Sequence, residues 1–165
     1  MAIIRVHTYP HPILREVCEP ASLASGTLDT TVKTLIADMI ETMYSFPGCV
    51  GIAAPQVGSA VRVVITDISA KTTKDQLKVL VNPVIVQSSR KKISREGCLS
   101  FPEYLANIKR ATRATIQCLD EQGHPQEYQV RDFEAVAIQH ELDHLDGILL
   151  IDRIHSLKTD LIRRE

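Results

Sequence analysis

His140 and His144 stand four residues apart in Gln139-His140-Glu141-Leu142-Asp143-His144, with Glu141 between them. On an α-helix such a pair lies one above the other on the same face, so the two imidazoles could bind one metal ion. Glu141, beside them, is placed to take a proton from a metal-bound water. The plainer alternative is an amphipathic helix whose histidines point inward without a ligand. Two histidines do not complete a site, and a third donor has to come from elsewhere. A third histidine six positions past His144 is absent, because Leu150 stands there. The upstream candidates are Cys98, His124 and Glu96. His124, between Gly123 and Pro125, falls in an exposed turn, whereas Cys98 sits in the tight segment Glu96-Gly97-Cys98-Leu99-Ser100, and a thiolate binds soft or borderline metals well.

These residues need a scaffold. Asp132 is suited to cap the helix that carries the histidines, Glu134 favours its positive end, and Gly147 is placed to end it. Phe133, Val136, Ala137, His140 and His144 form one stripe of that helix and Ile138, Leu142, Leu145 and Leu149 another, so it is expected to be buried on two sides. Upstream, Leu28, Val32, Leu35, Ile36, Met39, Ile40 and Met43 recur at helical spacing, with Asp29 or Thr30 as N-cap and Pro47-Gly48 as terminator. The small residues of Gly48-Cys49-Val50-Gly51-Ile52-Ala53-Ala54-Pro55-Gln56-Val57-Gly58 permit a close backbone approach, yet the stretch is neither a P-loop nor G-x-G-x-x-G. Strands are expected at 61–66 and 80–86, the second interrupted by Pro83, and again within 104–119 and 128–130; Ser88 to Lys92 reads as a hairpin end.

The bulk properties narrow the classes. The 165 residues are 44% hydrophobic and 24% charged, with a formal net charge of −1. That suits a single domain over 1–165 and gives no basic face for specific nucleic-acid binding. No apolar run reaches the length of a membrane span, and the first residues lack the features of a signal peptide or presequence. Cys18, Cys49, Cys98 and Cys118 show no CxxC spacing, which suits a reducing, cytoplasmic setting, with Cys18 and Cys118 as core thiols.

Three blocks together resemble the peptide deformylase family: Gly51-Ile52-Ala53-Ala54-Pro55-Gln56, Glu96-Gly97-Cys98-Leu99-Ser100 and Gln139-His140-Glu141-Leu142-Asp143-His144, with Tyr9-Pro10-His11-Pro12-Ile13-Leu14-Arg15 similar to the family's opening segment. The resemblance implies an α+β fold: antiparallel β-sheets packed around a buried central helix carrying HExxH, with an N-terminal amphipathic helix. It implies Cys98, His140 and His144 as metal ligands, with Glu141 as the base. Gln56 through its side-chain amide and Leu99 through its backbone N–H become the oxyanion donors. Val50, Gly51 and Ile52 would lie along the substrate, and Phe133, Val136 and Ala137, with Val50 opposite, would line a methionine pocket. The implied reaction removes formyl from N-formylmethionyl nascent peptides. The implied cofactor is one divalent ion, Fe²⁺ in cells, with Zn²⁺, Ni²⁺ or Co²⁺ also suited to these donors. By the same analogy Glu96 pairs with Arg110, and Asp143 either orients a histidine or is exposed.

The chain departs from the family pattern in three places. Cys49 stands where a glycine is usual, and Leu105 where many relatives carry an arginine that reaches substrate. The chain ends 21 residues after His144, with Lys158, Arg163 and Arg164 left to make weak ribosome contact. A metal-binding relative without catalysis, or a hydrolase for another acyl group, are the rival readings; intact Glu141 and Gln56 argue against the first.

Overall fold

The computed structural model describes residues 1–70, 73 and 75–165. A 3-10 turn at Pro12–Arg15 is followed by β1 (Leu23–Ala24) and β2 (Thr27–Leu28), a two-stranded antiparallel ribbon. Then come α1 (Thr30–Ser45), β3 (Gly51–Ala53), a 3-10 turn at Ala54–Val57, β4 (Val63–Thr66), β5 (Lys78–Cys98), β6 (Phe101–Leu119) and β7 (Pro125–Arg131). The chain finishes with α2 (Asp132–Leu145), α3 (Leu150–Arg153) and β8 (Leu161–Arg163). The main sheet runs β3-β4-β5-β6-β7, with β8 added beside β6, and each of these pairings is antiparallel. The fold is thus a mixed one of antiparallel sheet and few helices.

Period-two alternation explains how one short piece of sheet serves two helices. On one face Ile52, Val63, Ile65, Val79 and Val81 pack with Val32, Ile36, Met39 and Met43 of α1. On the other, Ala53, Val64, Leu80, Ala114, Ile116 and Val130 pack with Ala135, Ile138, Leu142 and Leu145 of α2. Strands covered on both faces lose the alternating pattern and read as continuous apolar runs, as Val63-Val64-Ile65 does. A third cluster joins Cys98, Phe101, Ala106 and Ile108 to Leu14, Leu149 and Leu150. It holds the end of β5 against the segment after α2.

Local chemistry fixes the helix ends. Asp29 caps α1, accepting from the Thr31 N–H at 2.6 Å. Leu28, read as the first residue of the apolar stripe, lies in β2 ahead of the cap. Asp132 does not cap α2. It is the first helical residue, at φ +51°, and Arg131 occupies the cap position without a side-chain bond. β7 runs directly into α2, so the turn is made at Asp132 itself, in the left-handed region that Asp tolerates better than most residues. Gly147, at φ +69°, closes the other end, its N–H donating to the His144 carbonyl at 3.2 Å.

Ser88 to Lys92 is not a hairpin end. It pairs through the middle of β5, Ser88 with Ala114 and Lys92 with Arg110, while the reversal comes at Leu99-Ser100. The stretch 84–93 is solvent-exposed, so its polar composition mimics that of a turn. Pro83 interrupts β5 as expected, in a register shift between Val81 and Val84.

Candidate metal centre

α2 presents His140 and His144 on one face and β5 brings Cys98 to meet them. The pairing of β5 with β6 slips between Gly97, opposite Leu105, and Cys98, opposite Phe101. That irregularity turns the thiol inward. Cys98 Sγ lies 3.3 Å from His144 Nε2. A sulfur of Cys98 and a ring nitrogen from each of His140 and His144 all fall within 4.8 Å of one another, and the three residues are buried. This set of donors fits a divalent cation of borderline softness, and the three could hold one.

Charge and hydrogen bonding orient the donors. His140 Nδ1 lies 2.8 Å from Glu96 Oε2. An ionised carboxylate only accepts, so Nδ1 carries the hydrogen and Nε2 is the nitrogen left to face Cys98. Arg110 grips Glu96 bidentately, at 2.8 and 3.0 Å, and donates to Asp143 at 2.6 Å. Asp143 also accepts from Arg153 at 2.7 and 3.1 Å. Asp143 is therefore buried, with both carboxylate oxygens bonded to arginine. Burial opposes the charge on Glu96, but bonds from His140 and Arg110 outweigh it and hold the carboxyl below its usual range. Burial likewise opposes charge on His140, yet attraction to Cys98 and Glu96 raises its pKa. His144 is pushed down by burial and by repulsion from His140 and Arg110.

Glu141 is buried next to the triad, and burial pushes its carboxyl up to about 7. Its Oε2 and the His144 Nδ1 are buried polar atoms without a hydrogen-bond partner among the described residues. A Cβ on Gly51 would meet Glu141 Oε1 at 2.7 Å and its Cγ at 2.9 Å. Gly51 is thus required first by the close approach of α2 to β3.

Gln56 is fixed at both ends of its amide. Its Oε1 accepts from the Ala53 N–H at 3.0 Å, and its Nε2 reaches Ser100 Oγ at 3.2 Å and Cys98 Sγ at 3.6 Å. Ser100 in turn donates to the His7 carbonyl at 2.8 Å. Nothing in the sequence reading gave Ser100 this task, although it closes the cysteine block.

A cavity of about 420 Å³ opens beside the centre. Val50, Gly51, Gln56, Leu99, Phe133, Val136 and Ala137 line it together with Cys98, His140 and Glu141. Ile52 does not. Its side chain is fully buried under α1, which leaves only its backbone for a ligand. His144 lies behind the lining, inside the triad. Cys49 also lines the cavity, its thiol 3.2 Å from the Gly51 carbonyl and kept protonated by burial, which pushes it up to about 12. Arg95, Pro102 and Arg164 line the cavity too; the first two had no assigned part, and Arg164 was expected only in the basic tail. They come from β5, β6 and the residue after β8, and share no local pattern. His124 is exposed, is not one of the triad, and lies 3.8 Å from Asp120.

The chain matches the polypeptide deformylase family model over residues 3–160. It is 42% identical to a peptide deformylase of Thermodesulfovibrio yellowstonii across 100% of this chain and 97% of the relative. With the peptide deformylase of Nitrosococcus oceani the identity is 44%, over 100% and 95% of the two chains. The structure superposes on a Legionella pneumophila peptide deformylase with a TM-score of 0.85 at 37% identity, covering 95% of this chain and 89% of the other. The Thermotoga maritima peptide deformylase gives 0.83 at 34%, covering 94% and 100%. Sequence, fold and the cysteine–histidine triad agree, and the chain belongs to the polypeptide deformylase family, whose members are metal-dependent hydrolases.

Proposed function

We propose that residues 1–165 act as one catalytic domain that hydrolyses the formyl group from N-formylmethionine at the start of newly made polypeptides, releasing formate. The observation that supports this most is the buried convergence of Cys98, His140 and His144 with Glu141 alongside. When bound, a divalent ion supplies Lewis acidity that acidifies a water and polarises the formyl carbonyl. Fe²⁺ is the proposed ion in cells, with Zn²⁺, Ni²⁺ and Co²⁺ as substitutes on the same donors.

The chain's own groups do the rest. Glu141 accepts a proton from the attacking water as its oxygen bonds to the formyl carbon, then returns it to the amine nitrogen as the C–N bond breaks. Gln56 Nε2 and the Leu99 N–H are the proposed donors to the oxyanion, and the bonds of Gln56 to Ala53 and Ser100 hold its amide in place beforehand. Among the described residues β3 pairs with no strand but β4, so its other edge is the one proposed to receive the peptide as an added strand, through the backbone of Val50, Gly51 and Ile52. Phe133, Val136 and Ala137, with Val50, form the apolar wall for the methionine side chain.

Among the described residues no helix is long and apolar enough to cross a membrane. Action in the cytoplasm on nascent chains is the setting proposed. Lys158 and Arg163 are exposed and available for weak contact with the ribosome.

The test is formate release from formyl-Met-Ala peptides, set against their acetylated counterparts, with the metal-loaded protein. Cleavage of the formyl peptides alone supports the assignment. Equal cleavage of both would move the substrate to another acyl group. Glu141→Ala should keep its metal and lose turnover; a variant that still released formate at the parent rate would remove Glu141 from the mechanism.

A further inference from the structure

Two guanidinium groups stand at the mouth of the cavity. Antiparallel pairing of Leu161, Ile162 and Arg163 with Ala106, Leu105 and Tyr104 anchors β8, and the Arg164 N–H donates to the Glu103 carbonyl at 2.8 Å. So tethered, Arg164 sends its side chain across Leu105 to Gly97. A Cβ placed on Gly97 would collide with Arg164 Nη2. The guanidinium thus lies over the bare face of the residue next to Cys98. Arg95, two positions before Gly97 and on the same face of β5, lines the cavity as well, held loosely at 3.4 Å from Asn107 Oδ1.

Both arginines are exposed, and neither has an ion-pair partner among the described residues. The carboxylates that share the lining, Glu96 and Glu141, are buried, and Glu96 is bound to Arg110 and His140. The two cations on the lining are therefore unneutralised among the described residues, while Val50, Phe133, Val136 and Ala137 give the cavity an apolar wall. Guanidinium groups that share one cavity lining without a carboxylate partner favour an anion there, best of all a carboxylate.

We propose that Arg164, with Arg95, is a specificity-determining residue that favours an acidic side chain at the first or second position after the formylmethionine. This rests on the deformylase reading of the site. An extended peptide rises about 3.3 Å per residue, so a guanidinium over Gly97 is within reach of those positions when the formyl group sits at the triad. Arg164 directly follows β8, so the preference belongs to the way this chain folds its tail onto β6.

The experiment compares C-terminally amidated formyl-Met-Ala-Glu with formyl-Met-Ala-Lys, and formyl-Met-Glu-Ala with formyl-Met-Lys-Ala. An exposed ion pair is worth up to about fivefold. The Glu peptide of at least one pair should therefore lead in kcat/KM by about threefold or more at low ionic strength. The gain should reside in KM and shrink as salt is added. Arg164→Ala should bring the ratio towards one, Arg164→Glu should invert it, and Arg164→Lys should retain most of it. Equilibrium binding of the unformylated Met-Ala-Glu and Met-Ala-Lys amides gives the same comparison without turnover. Equal ratios in the parent and Arg164→Ala proteins, in both assays, would overturn the proposal. Failure to hydrolyse any formyl peptide would overturn the deformylase reading instead, and the binding ratio would still decide the part played by Arg164.

Discussion

His140 Nδ1 lies 2.8 Å from Glu96 Oε2, and Arg110 holds the same carboxylate by both of its oxygens. One proposed ligand is thereby fixed through Glu96, which shares the cavity lining, and through Arg110 behind it, which does not. The chain of bonds continues through Asp143 to Arg153 on α3, so the segment after the histidine helix helps to set the histidine itself.

Glu96→Ala should weaken metal binding by about 10- to 100-fold, because the ring loses the partner that fixes its tautomer and tilt. It also leaves Arg110 with part of its charge unmatched in a buried site, a change that costs roughly 3–5 kcal/mol. Glu96→Gln keeps the shape and one acceptor and should fall between. Competition with a chelator measures the first effect and urea unfolding the second. Unchanged metal affinity in both variants would show that His140 does not depend on Glu96.

Gly51→Ala tests the packing of β3 on α2. The added methyl would meet the Glu141 side chain at 2.7–3.0 Å, so the carboxylate has to move while the triad does not. Turnover should fall by about tenfold or more, as expected when a proton acceptor is displaced, with metal content unchanged. A loss of metal parallel to the loss of activity would mean instead that the whole of α2 had shifted.

Asp67 predicts an acid limb of stability that has no link to the metal site. It is fully buried and takes hydrogen bonds from the Tyr44 hydroxyl at 2.6 Å and the Ser69 hydroxyl at 2.5 Å. Burial opposes its charge, but those bonds outweigh it and hold the carboxyl below its ordinary value of 3.8. A depressed folded-state pKa means that the stabilisation is fully present above the unfolded value and disappears as pH falls through the folded one. The melting temperature should therefore drop below about pH 4, and more gently in Asp67→Asn. An identical acid limb in the two proteins would exclude Asp67 as its source.

Much of the site was legible because its signals are local. Spacing of four placed His140 and His144 on one face, and the tight glycine-containing block marked Cys98 as a candidate that resemblance then selected. α1 was legible from its period, apart from Leu28, which lies ahead of the cap. The remainder depends on contacts between distant parts of the chain. The polar run from Ser88 to Lys92 reads as a turn because both faces of that part of β5 meet water. Asp132 has the chemistry of a cap, but β7 leaves no residue between strand and helix for it to occupy that position. Asp143 could not be assigned from the sequence, since its partners Arg110 and Arg153 lie on other elements. Arg164 was read only as part of a basic tail, because nothing local shows that β8 will pair with β6 and turn it towards Gly97.

X-ray absorption at the metal edge of the Zn²⁺-loaded protein tests the central claim most directly. One sulfur at about 2.3 Å and two imidazole nitrogens at about 2.0–2.1 Å are predicted, with the sulfur shell lost in Cys98→Ala. A parent spectrum without sulfur, or one unaltered by Cys98→Ala, would contradict the shared site of Cys98, His140 and His144.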